Sequence, residues 1–124
     1  MTNYPKFHPS QTRAVLWNKI EERYADFVNH GFVLQPILSL VQFIRENGFN
    51  KRLHAFTSMH KLVISIYDPL EWDRETLHIE LDIPSKKVHF VYCPKPFEPS
   101  EAVRSYPEED IIPRFSRYMS HLKW

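Results

Sequence analysis

The sequence predicts an α+β fold: a four-stranded antiparallel sheet, in meander order, with three helices packed on one face and the element order α-α-β-β-β-β-α. Three observations carry this reading. Apolar residues recur at helical spacing from Leu16 to Ile44, the period changes to two from Leu53, and helical spacing returns near the C-terminus. Helices grouped before and after the strands, rather than alternating with them, argue against a parallel α/β sheet.

The first helix is expected to open at Pro9-Ser10, where Ser10 would accept a bond from a first-turn amide. Leu16, Ile20, Tyr24 and Phe27 form its apolar stripe, flanked by Trp17 and Val28, and Gly31 ends it. The second helix begins near Pro36, because a first-turn amide has no intrahelical partner to lose. Its run Ile37, Leu38, Leu40, Val41, Phe43 and Ile44 is too wide for one face and implies burial on more than one side, up to the stop at Asn47-Gly48. The short connection makes the two helices an antiparallel pair.

Four strands follow, at about 53–57, 61–67, 76–82 and 88–93. Leu77, Ile79 and Leu81 alternate with His78, Glu80 and Asp82, and Val88, Phe90 and Tyr92 alternate with His89, Val91 and Cys93. Such alternation marks a sheet covered on one face. Asp68 to Glu75 is a longer turn carrying Trp72. Pro94 to Ser105, with Pro94, Pro96 and Pro99, reads as a connection, because proline cannot donate to a ladder. Ser105-Tyr106-Pro107-Glu108 has the form of a capping box. It opens a third helix with the stripe Ile111, Phe115, Tyr118, Met119 and Leu122, in which Pro113 is a kink or the true start.

The 124 residues match one domain, 1–124, and 43% hydrophobic residues exclude a disordered chain. A net charge of +1, with both signs in both halves, provides no basic stripe for a polyanion, so no nucleic-acid role is expected. Arg114, Arg117 and Lys123 read as a solvated helix face. Cys93 is the single cysteine, the N-terminus lacks an apolar leader, and no apolar run approaches the ~20 residues that span a bilayer. These features point to the cytoplasm and to no membrane partner. With only Gly31 and Gly48, the chain holds no Gly-rich phosphate loop, and no cofactor is implied.

The residues with chemistry gather on the sheet face away from the helices. If Leu81 pairs with Val88, Glu80 lies opposite His89 and His78 opposite Val91. If Tyr67 pairs with Thr76, Ser65 lies beside His78, and a tight first hairpin adds His54. The expected rows are then His54, Ser65, His78, Val91 and Phe56, Val63, Glu80, His89. Three readings compete for this face. One is a plain solvated surface. Another is a contact surface in which Phe56, Val63 and Tyr67 meet a protein partner or a second copy of the chain. The third is a site of chemistry: His54, His78 and His89 as metal ligands, or His78, Glu80, His89 and Cys93 as catalytic groups, with Cys93 and His78 a thiolate pair. No motif of known spacing supports the last, and the sequence favours a non-catalytic interaction protein.

Overall fold

The computed structural model describes residues 11–71, 74–94 and 103–124. The expected Ser10 cap, the leading residues before Gln11, Trp72, Pro96 and Pro99 lie outside them. The element order is β1 (Gln11–Thr12), α1 (Trp17–Asn29), α2 (Gln35–Glu46), β2 (His54–Ser58), β3 (Lys61–Ser65), β4 (Leu70–Glu71), β5 (Thr76–Asp82), β6 (Lys87–Cys93), β7 (Arg104–Pro107) and α3 (Ile111–Leu122). The fold is α+β, with three helices and an antiparallel sheet in meander order, β2-β3-β5-β6-β7. The sheet has five strands, not four, and β1 and β4 form a separate two-stranded ribbon.

The fifth strand corrects the capping-box reading. Arg104–Pro107 pairs with β6, matching Val88 to Tyr106 and Phe90 to Arg104, so Ser105 is a strand residue. A short 3-10 turn, Glu108–Asp110, then leads into α3. No side chain caps α3, and Pro113 sits in its first turn, where its missing amide costs no intrahelical bond. The start of α1 is also later than expected. Residues 11–12 pair with β4, Val15 donates to the Ala55 carbonyl, and the helix opens at Trp17. Leu16 consequently stands at an extended N-cap and is 70% exposed, and Trp17 takes its place in the buried stripe with Ile20 and Tyr24.

The end of α1 shows how local sequence sets a boundary. Gly31 has φ +92°, a conformation side chains disfavour. The Phe32 amide bonds back to the Phe27 carbonyl and the Gly31 amide to that of Val28, the Schellman pattern. The rings of Phe27 and Phe32, 5.6 Å apart, add the hydrophobic contact that accompanies it.

Helix α2 contacts both α1 and α3 and lies on the sheet. Ile37, Leu38, Leu40, Val41 and Ile44 are all buried, which accounts for its wide apolar surface. On the sheet, Ala55, Leu62, Ile64, Leu77, Ile79, Val88 and Phe90 face the helices within the same core. The Trp17 indole ties α1 to the sheet by donating to the Leu53 carbonyl at 2.8 Å. Trp124 docks beside Tyr92, with its amide bonded to the Met119 carbonyl. No helix among the described residues is long and apolar enough to cross a membrane.

The sheet is not one-sided along its whole width. Over β2 and β3 the far face carries a second cluster of Phe56, Val63 and Leu70, with Ala14 packed against it. The chain's own Leu70 and Ala14 pack over that half. Truncation of the main core, by Leu40→Ala or Ile44→Ala, should cost about 2–5 kcal/mol in urea unfolding. Val63→Lys should cost about 3 kcal/mol or more, because it buries an unpaired charge. A loss below about 0.5 kcal/mol, typical of open surface, would show that the residue concerned is not packed.

Candidate functional site

The far face of the sheet follows from the strand registers. His54 pairs with Ser65 and Phe56 with Val63 across β2 and β3. Across β5 and β6, Glu80 pairs with His89, His78 with Val91 and Thr76 with Cys93. These pairs match the expected alignment. The join between β3 and β5 differs by two residues: Val63, not Ser65, stands beside His78. The reason lies at Ser65. Its hydroxyl donates to the Glu75 carbonyl at 2.8 Å and accepts from the Tyr67 amide at 3.3 Å, so the chain leaves the ladder there and Tyr67 stays outside it. A two-residue shift keeps every side chain on its face and changes only its neighbours.

The residues expected to form a contact surface are placed as follows. Val63 is 0% exposed and Phe56 8%, both covered within the chain. Tyr67 is half-buried, its hydroxyl bonded to the Glu75 carboxylate at 3.3 Å and its ring under the Arg74 guanidinium at 4.5 Å. Of the histidines, His54 faces Asp68 at 3.9 Å from the β2 edge. His78 sits between Val63 and Val91, with Thr76 Oγ1 3.2 Å from Nε2. Burial, and secondarily the Lys61 ammonium, push the His78 imidazole down to about 4. Cys93 is half-buried opposite Thr76, diagonal to His78. Among the described residues no group of three His, Cys, Asp or Glu side chains stands close enough to share a metal ion.

His89 is brought into a chain of polar contacts. Its Nδ1 shares a 2.6 Å hydrogen bond with Ser105 Oγ, and its Nε2 lies 3.7 Å from Asp82 Oδ2. Ser85 donates to the same Asp82 oxygen at 2.7 Å. β7 makes this contact, since it sets Ser105 opposite His89. The chain lies on an open sheet face, and neither of two concavities on the described surface includes any of these residues.

One of those concavities lies on the other side of β7, between that strand and α3. A groove of about 190 Å³ is lined by Arg104, Tyr106, Arg114, Arg117, Tyr118 and His121. The placement follows from two periodicities. Arg104 and Tyr106 alternate with Ser105 and share the helix-side face with their partners Phe90 and Val88. Arg114, Arg117, Tyr118 and His121 fall at i, i+3, i+4 and i+7, one stripe of α3. Phe90 holds the aromatic walls: Tyr118 stacks on it at 5.0 Å and Tyr106 meets it edge-on at 5.8 Å. The Arg114 guanidinium lies over the Tyr106 ring at 4.3 Å. Among the described residues no carboxylate lies within ion-pairing distance of Arg104, Arg114 or Arg117. An array of guanidinium groups that no described carboxylate neutralises is suited to holding an external anion.

The groove is not apparent from the sequence, in which Arg104 reads as part of a connection and Arg114 and Arg117 as a solvated helix face. The available signal was the helical stripe of Arg114, Arg117, Tyr118 and His121. Comparison of the chain with protein-family models, with curated proteins and with solved structures finds no match.

The depressed His78 basicity has a direct consequence. The folded value lies below the ordinary 6.5, so between about pH 4 and 6.5 the unfolded chain binds the extra proton. The contribution is complete above about pH 6.5 and is lost as pH falls toward 4. Allowing for partial exposure, the loss is on the order of 2 kcal/mol. His78→Gln should flatten the stability profile over that window by this amount. Parallel profiles for the two proteins would show that His78 does not resist protonation.

Proposed function

We propose that this chain is a small non-catalytic interaction protein that engages an anionic group of its partner through the groove between β7 and α3. The observation that supports it is the set of Arg104, Arg114 and Arg117 around one concavity, with no described carboxylate to neutralise them. Phe56 and Val63 lie under the chain's own cover, so self-association belongs to this reading only through surfaces that stay open. The overall charge of +1 fits a local anion site better than a long polyanion track. The test is a resonance titration of the isotope-labelled chain with inorganic phosphate and with a tetraglutamate peptide at constant ionic strength. Shifts should centre on Arg104, Tyr106, Arg117 and Tyr118 and vanish in Arg104→Glu/Arg117→Glu. No shift in the groove with either anion rules the reading out.

A second reading, a small hydrolase, draws on Ser105, His89 and Asp82. Their contacts have the nucleophile–base–orienting group pattern. On that reading Glu80, His78 and Cys93 are neighbours rather than participants. The interaction reading expects an activated ester such as p-nitrophenyl acetate to react no faster with the native chain than with Ser105→Ala. A Ser105-dependent burst would replace it with the hydrolase.

A further inference from the structure

We infer that the anion taken by the β7–α3 groove is a phosphate monoester. The inference rests on the anion-binding reading above and adds the identity of the ligand. Donor supply is the first argument. One guanidinium satisfies a carboxylate with two parallel N–H bonds, and a lone acidic side chain therefore needs only one arginine. Here Arg104, Arg114 and Arg117 line a single groove, with His121 beside them. A phosphate monoester brings three terminal oxygens and a charge near −2, which several guanidinium groups can share. A diester brings one charge and two free oxygens and leaves most of those donors without a partner.

Size is the second argument. The groove's 190 Å³ corresponds to about six water volumes at ~30 Å³ each. That admits a phosphoryl group and the first atoms of its carrier. It is below the ~300–1,000 Å³ typical of sites that enclose a whole organic ligand. The carrier therefore extends out of the open mouth, and recognition falls on the phosphoryl group itself.

Rigidity is the third. Tyr118 and Tyr106 are held on Phe90, a fully buried ring of the main core, and Arg114 is laid over Tyr106. Walls fixed before binding lose little entropy when the ligand arrives. Arg104 comes from the strand and Arg117 from the helix, so the two line the groove from opposite walls. Among the described residues no carboxylate is paired to the three arginines, so none of these has to be displaced first.

Phosphorylated protein side chains and small phosphorylated metabolites share this chemistry, and the experiment separates them. The full chain is titrated at pH 7.5 with phenyl phosphate, phenylacetate and methyl phenyl phosphate at equal ionic strength, with groove resonances as the readout. Phenyl phosphate should bind at least about tenfold more tightly than the other two. Arg104→Gln and Arg117→Gln should each weaken it by about tenfold or more, as expected for charge-assisted bonds, with unchanged urea midpoints. Equal affinity for all three compounds would overturn the monoester assignment while leaving an anion site in place. No groove response to any of them would remove the anion reading as well. A phosphoserine or phosphotyrosine peptide that binds better than glycerol phosphate assigns a protein source, and the reverse order assigns a metabolite.

Discussion

Burial of α2 on both flanks and against the sheet is the constraint on which the rest of this structure depends. Its apolar residues occupy too much of the helix surface for one contact, so α1 and α3 must lie to either side. The α3 side of that contact is aromatic, with Phe115 meeting Phe43 at 6.4 Å and Phe49 at 5.4 Å. Once Phe115, Ile111 and Met119 are turned inward, the adjoining flank of α3 faces β7. Arg114, Arg117, Tyr118 and His121 occupy that flank. The basic groove is thus a by-product of how the central helix is enclosed, and its tyrosine walls share Phe90 with the core.

The two faces of the sheet divide their roles along its width. On the helix side the alternation is unbroken from Ala55 to Phe90. On the other side, Ala14 and Leu70 pack over Phe56 and Val63 of β2 and β3, and β5 to β7 carry Glu80, His89 and Ser105 in a row of polar side chains. His78 stands at the border between them, which explains its reluctance to take a proton. Packing and chemistry are therefore separated by strand as well as by face.

Much of this was legible because side-chain alternation has only two phases. Leu77, Ile79, Leu81, Val88 and Phe90 could be assigned to the helix side from spacing alone, and the Glu80–His89 and His54–Ser65 pairs followed from tight hairpins. Alignment between β3 and β5 was not legible, since Ile66 to Glu75 is long enough to permit several registers of the same phase. β7 is not legible, because four residues ending in proline, with Ser105 three before Glu108, satisfy the pattern of a helix cap equally well. The cover over Phe56 and Val63 was hidden by the same kind of competition: residues 11–15 resemble a helix start, and their strand pairing depends on a partner some sixty residues away. The basic groove required both the missed strand and the helix, so no single segment announced it.

The ends of the five-stranded sheet have a consequence for how the protein behaves in a crowded solution. An open strand edge is a template for pairing with another chain. At one end, the Val15 amide already bonds the Ala55 carbonyl of β2, which occupies part of the row where a foreign strand would dock. At the other, β7 is only four residues long, begins with the charged Arg104 and ends with Pro107, whose nitrogen has no hydrogen to donate. Among the described residues, then, both borders of the sheet offer an added strand few free ladder positions: one is short, charged and proline-ended, the other partly occupied.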